Sequence, residues 1–103
     1  LVEAGPPALL MPAGIVVLYN AGDSATRTYS AGQALFEPND PVKLLARSDT
    51  AFIRPTEPYE RTGQYAAGTT FVEALVPFKG RWFLYYGTAD SRVGVAVWDP
   101  GHK

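Results

Sequence analysis

Apolar and polar positions along this chain repeat with a period of two rather than 3.6, and glycine and proline cut the pattern at short intervals. "GIVVLYN", Gly14 to Asn20, is an apolar, β-branched run that predicts a buried strand. A second strand is predicted near Tyr29 to Leu35, with Tyr29, Ala31, Gln33 and Leu35 on one face. "EPNDP" holds two prolines and predicts a turn. Val42 to Ser48 fits either a short strand or a helical turn. Asp49 to Ala67 is irregular and too long for a hairpin loop, and loops of that length are often functional. Thr69 to Phe78 reads as a strand, and Lys79-Gly80 as a two-residue hairpin turn, because glycine accepts positive φ. "RWFLYYG" returns as the next strand, "TADS" turns, and "RVGVAVWDP" closes a β-meander. Gly5-Pro6-Pro7 predicts an extended lead into the first strand. No stretch has a convincing helical stripe, so the fold class is all-β and antiparallel.

The chain also echoes itself. "GIVVLYNAGD" followed by "TYSAGQALFEP" resembles "GRWFLYYGTAD" followed by "VGVAVWDP", with Tyr19 matching Tyr86. Repeated four-stranded units are the mark of a β-propeller, and two units cannot close a ring of about four to eight blades. The echo therefore predicts part of a propeller, against the alternative that strands of any sandwich look alike.

Composition narrows the function classes. Hydrophobic residues make up 47% of the 103 residues, too many for disorder and enough for one modest core. The formal charge of −1 is spread without a basic run, so neither nucleic acid nor an anionic membrane is an expected partner. With no cysteine and one histidine, His102 near the end, a histidine triad or zinc site is not expected, and no cofactor is implied. No apolar run is long enough for a membrane span, and "LVEAGPPALL" has no basic segment or cleavage pattern of a signal peptide. Starting without methionine, the chain is expected to be a piece of something longer.

Two carboxylates stand out. Glu73 interrupts an apolar strand; strict alternation places it with Phe71 and Leu75, opposite Val72, Ala74 and Val76. A buried, unpaired carboxylate is very costly, so Glu73 must be wet, paired or working. Asp90 in "YYGTADS" reads either as an ordinary Asx turn or as a strand-end acid aimed into a site. Asp23 in "NAGDS" has the same turn reading in more polar surroundings. Trp82, Leu84 and Tyr86 alternate with Phe83 and Tyr85, so both faces of that strand look covered.

"GPP", "GIVVLYNAG", "ALFEPNDPVKLLAR", "PYERTGQ", "TTFVEALV" and "YYGTAD" together resemble the C-terminal part of glycoside hydrolase family 130, over nearly the whole chain. The resemblance implies a five-bladed propeller acting on β-mannosides, of which residues 1–103 are about the last two blades. It also implies that the general-acid aspartate lies in an earlier blade, so this chain alone is expected to be inactive. The family contains hydrolases and phosphorylases. A phosphorylase needs cationic and hydrogen-bonding groups for its anion, whereas an inverting hydrolase needs a second carboxylate to deprotonate water. Phosphorylase members typically carry histidine where this chain has Asn20, and no acid at the position of Glu73. The resemblance therefore implies inverting hydrolysis, with Glu73 as base or sugar ligand and Asp90, Asn20 and Tyr19 lining the sugar funnel. Phosphorolysis and a non-catalytic carbohydrate-binding module are the alternatives. The implied partners are an oligosaccharide and either the missing blades or further copies of the chain, in a bacterial cytoplasm or periplasm.

Overall fold

A computed structural model describes residues 1–62 and 68–100. The N-terminal sheet is built on β3 (Gly14–Gly22), β4 (Tyr29–Glu37) and β5 (Asp40–Arg47), an antiparallel meander. Two short strands, β1 (Val2–Ala4) and β2 (Leu9–Met11), pair with opposite ends of the same edge of β3. The extended lead expected from Gly5-Pro6-Pro7 is thus a break within an edge strand; Gly5 donates its N–H to the Leu18 carbonyl at 3.1 Å. The ambiguous Val42 to Ser48 stretch resolves as strand β5, because it completes the ladder on β4. One helical turn, α1 (Pro58–Arg61), lies in the long loop. The second sheet is the expected three-strand meander of β6 (Thr70–Phe78), β7 (Arg81–Thr88) and β8 (Arg92–Trp98). Lys79 and Gly80 both take positive φ, 50° and 77°, as a two-residue hairpin turn needs.

The internal echo has a physical counterpart. Tyr19 lies opposite Gly32 across β3 and β4, and Tyr86 lies opposite Gly94 across β7 and β8. Each tyrosine ring lies over its glycine so closely that a Cβ there would come within 2.5 Å of the Tyr19 hydroxyl or 2.7 Å of the Tyr86 ring. The two hairpins are equivalent units of successive sheets.

The sheets meet through a small core of Ala31, Val72, Leu84 and Tyr86, flanked by Leu18, Ile53, Leu75 and Ala96. Asn20 fastens this contact. Its side chain is fully buried and behaves like a strand neighbour of Val72, accepting the Val72 N–H at 2.7 Å and donating to the Val72 carbonyl at 3.0 Å. Away from this contact the sheets diverge around a groove of about 580 Å³ whose lining includes Leu9, Met11, Phe52, Trp82 and Trp98. Splayed sheets joined at one contact are the arrangement of adjoining blades rather than of a closed sandwich. The opposite face of the second sheet is open: Val76, Tyr85, Val95 and Val97 are exposed there. Both faces of β7 looked covered from its alternation; in the described residues only the Leu84 and Tyr86 face is buried.

Candidate functional site

The hairpin loops β3–β4 and β7–β8 open toward two cavities that meet at Tyr29 and Thr69, which line both. The smaller, about 260 Å³, is lined by Glu3, Tyr29, Thr69, Phe71, Glu73, Gly87 and Asp90. Among the described residues three carboxylates and no cation line it. Its aromatic wall is Tyr29 against Phe71, with ring centroids 5.8 Å apart at 57°.

Each acid reaches the cavity for a local reason. Glu3 lies on β1 opposite Asn20, so it shares the Asn20 face, which turns toward the second sheet. Glu73 is there because of a β-bulge. The register of β6 on β7 shifts between Val72 and Ala74, leaving Glu73 as the extra residue. Strict alternation therefore fails at this point: Val72 pairs with Tyr86 and Leu75 with Leu84, so Val72 and Leu75 share the core face while Glu73 leaves the ladder. Its side chain is exposed, so it meets the requirement of being wet. Gly87 lies beside that carboxylate: a Cβ built on it would be 4.0 Å from Glu73 Oε1, an ordinary contact. Asp90 sits at an exposed hairpin tip, in which Ala89 and Asp90 take φ of 48° and 58° and Ser91 donates its N–H to the Thr88 carbonyl at 2.9 Å. Left-handed backbone at two successive non-glycine residues suits the twist of a two-residue hairpin, at a steric cost of about 1–2 kcal/mol each.

Asp23 and Asp90, equivalent in the echo, behave differently. Asp23 Oδ1 accepts the N–H groups of Ala25 at 2.8 Å and Thr26 at 3.1 Å, which is the turn-capping role. Among the described residues the Asp90 carboxylate caps no backbone N–H, so the Asx-turn reading fits Asp23 and not Asp90.

Two expected site residues lie elsewhere. Asn20 does not line the cavity: its amide is engaged with Val72 and, at 3.4 Å, with the Ala4 carbonyl. Tyr19 points to the opposite face of β3, because successive side chains alternate, and lines a groove with Val17, Ala34 and Phe36. Glu3, Tyr29 and Phe71 were not anticipated as lining residues; "VEA" carries a lone acid just before "GPP", which was the available signal for Glu3.

Beneath the site lies a buried carboxylate, Glu60, on α1. Its Oε1 accepts the N–H groups of Thr56 and Glu57, both at 2.9 Å, and its Oε2 accepts the Tyr86 hydroxyl at 2.7 Å. Burial opposes the charge, but these hydrogen bonds outweigh it and hold the carboxyl below its ordinary pKa. Burial, then the bond to Glu60, pushes the Tyr86 hydroxyl well above its ordinary value. The same turn ties down the site: the Glu60 carbonyl accepts the Thr69 N–H, and the Thr69 carbonyl accepts the Ala89 N–H beside Asp90, each at 2.9 Å. Glu60 of "PYERTGQ" thus bonds both within its own loop and across to β7. Gly63 lies outside the described residues.

Comparison with known proteins converges on one group. A family profile described as β-1,4-mannooligosaccharide phosphorylase, of glycoside hydrolase family 130, matches residues 1–101. A β-1,2-mannobiose phosphorylase from Thermoanaerobacter sp. (strain X514) is 32% identical over 91% of this chain and 30% of its own length. A solved structure from work on family members that are glycoside hydrolases targeting β-1,2-mannosidic linkages in Candida mannan superposes with a TM-score of 0.92 at 49% identity, covering 97% of this chain and 30% of that one. A glycosyl hydrolase from Bacteroides ovatus gives 0.91 at 50% identity over 98% and 30%. The β-1,2-mannobiose phosphorylase from Listeria innocua gives 0.87 at 25% identity over 97% and 28%. The chain spans about a third or less of the length of these relatives. With the all-β blades, the paired tyrosine–glycine hairpins and this match along nearly its whole length, the chain belongs to glycoside hydrolase family 130.

Proposed function

We propose that this chain is the C-terminal part of an enzyme that cleaves β-mannosidic bonds by inverting hydrolysis, and that its carboxylate cavity forms one wall of the active site. The observation that carries the reading is the convergence of Glu3, Glu73 and Asp90 on a cavity whose lining, among the described residues, holds no lysine or arginine. Phosphate entering there would meet negative charge, whereas water needs a carboxylate to take its proton. In this scheme Glu73 takes a proton from water as its oxygen bonds to the anomeric carbon. The bond to the leaving sugar breaks, and a general acid from the remainder of the protein protonates the departing oxygen. Asp90 accepts hydrogen bonds from sugar hydroxyls, and the Tyr29–Phe71 wall packs on the ring. Glu3 adds a second carboxylate beside the water.

The identities lean the same way, at 49% and 50% to the hydrolase structures against 32% and 25% to the phosphorylases. Phosphorolysis is the second reading, favoured by the activity of the curated relatives. Asn20 weakens it, since its amide is occupied between the sheets and is not free to hold an anion.

The test is Glu73→Gln in the full-length enzyme. The amide cannot accept the proton from water, so kcat is expected to fall by about 10²–10⁴-fold with KM little changed. An unchanged kcat removes Glu73 from the base role.

A further inference from the structure

The buried carboxylate of α1 plays no part in that scheme. Glu60 is only 3% exposed, and burying a carboxylate is costly unless hydrogen bonds offset it. Capping the turn occupies Oε1, which accepts the N–H groups of Thr56 and Glu57. Oε2 is given to the Tyr86 hydroxyl, 26 residues away on β7. A turn that needed only a cap could keep its acid at the surface, as the β3–β4 loop does with Asp23. The long loop instead carries a carboxylate inward and ties it to β7.

From that anchor a run of backbone hydrogen bonds reaches the carboxylate cavity. The Glu60 carbonyl accepts the Thr69 N–H, and the Thr69 carbonyl accepts the Ala89 N–H, each at 2.9 Å. Ala89 and Asp90 both stand in the left-handed region, at φ of 48° and 58°. Such backbone persists where its surroundings hold it. Ser91 and Thr88 bond within the hairpin, whereas the Ala89 bond fixes the hairpin tip to the segment before β6. That segment has little room to drift. Gly68 takes a φ of 94°, and a Cβ on it would come within 3.1 Å of the Pro55 side chain and 3.8 Å of the Glu60 carbonyl oxygen. Asp90, at the end of the run, lines the cavity.

We infer that Glu60 is a positioning residue for the reaction: through its tie to Tyr86 and the Thr69 backbone it fixes the Asp90 hairpin at the cavity wall. It touches no substrate itself. The inference rests on the reading of Asp90 as a sugar ligand. Hydrogen bonds weaken steeply with distance and angle, so a hairpin free to shift presents Asp90 poorly and weakens substrate binding. Glu73 stands on the β6 bulge, outside this run, so proton transfer from water is not expected to change. The signature is a raised KM at a kcat near the native one. A group that merely held the fold together would lower the amount of active enzyme, and with it the apparent kcat, at an unchanged KM.

In the full-length enzyme, Glu60→Ala is expected to raise KM for a β-mannotriose about tenfold, as for one weakened hydrogen bond to a charged group, with kcat within about twofold of native. Glu60→Gln keeps a carbonyl oxygen for the turn amides and should recover part of the loss. Tyr86→Phe cuts the tie to β7 and leaves the turn's own bonds in place. It should raise KM in the same way, and it carries the test if Glu60→Ala does not fold. In an Asp90→Ala background the change at residue 60 or 86 should add nothing further to KM. An unchanged KM, a fall in kcat alone, or an undiminished effect without Asp90 overturns the inference. Hydrogen exchange reads the positioning without turnover: the Thr69 and Ala89 amides should exchange faster in Tyr86→Phe while the Val72 amide stays slow. An unchanged rate at Ala89 overturns the inference. If Asp90→Ala itself keeps the native KM, the sugar-ligand role of Asp90 fails, and the exchange result alone decides whether Glu60 positions the hairpin.

Discussion

Asn20→Asp tests the contact between the two sheets. The replacement has the same shape, so it opens no cavity and removes only the Nδ2 donors. The native side chain accepts the Val72 N–H at 2.7 Å and donates to the carbonyls of Val72 at 3.0 Å and Ala4 at 3.4 Å. A protonated carboxyl keeps the first bond and can remake the second with its O–H. The cost in acid is then the longest bond, on the order of 1 kcal/mol. An ionised carboxylate would lie fully buried against two carbonyl oxygens with nothing to neutralise it, and should cost about 3–5 kcal/mol. Burial and the carbonyls raise the folded pKa of the introduced group above its unfolded value of about 3.9. Folding therefore favours the protonated form. The variant is nearly native below about pH 4 and loses roughly 1.4 kcal/mol per pH unit above it until the raised folded pKa is passed. Urea unfolding of native and variant full-length enzyme at about pH 4 and pH 8 gives the two differences. Hydrogen exchange at the Val72 amide reports the same contact locally. A difference below about 1 kcal/mol at both pH values would refute the reading of Asn20 as the inter-sheet fastener.

Other expectations follow from the same contacts. Tyr86→Phe removes the hydroxyl that Glu60 accepts at 2.7 Å and should cost about 1.5–3 kcal/mol in a thermal melt near neutral pH. Because the folded pKa of Glu60 is lowered, its share of stability is present above the unfolded carboxyl value and is lost as pH falls through the folded one; the Tyr86→Phe penalty should shrink in acid over that window. The raised Tyr86 pKa acts at the other end, so the native protein should lose stability as pH rises above about 10, a loss absent from Tyr86→Phe. Gly94→Ala would bring a methyl within 2.7 Å of the Tyr86 ring and should cost about 1–3 kcal/mol by overpacking, measured by urea unfolding.

The strands were legible because period-two alternation and glycine–proline punctuation are local signals. The hairpin at Lys79-Gly80 and the turn at Asp90 belong to the same class. What stayed hidden depends on partners far along the chain. The bulge at Glu73 arises from the pairing of β6 with β7, and "FVEAL" alone reads as unbroken alternation. Asn20 looked like a polar strand end facing a cavity, yet its main partner Val72 is 52 residues away and, with the Ala4 carbonyl, takes up its amide. The buried turn at Glu60 was partly local, since its two amide donors lie three and four residues before it. Its third partner, Tyr86, belongs to another element. Asp90 and Glu73 were legible as candidates because an acid in an apolar, strand-rich setting needs a reason; Glu3 passed unnoticed because its strand is only three residues long.

The central claim is that the carboxylate cavity serves water rather than phosphate. Full-length enzyme incubated with β-mannotriose, with and without inorganic phosphate, should release free mannose at the same rate in both. The new reducing end should first appear by proton NMR as the α-anomer. A rate that vanishes without phosphate, with mannose 1-phosphate as the product, would contradict the account.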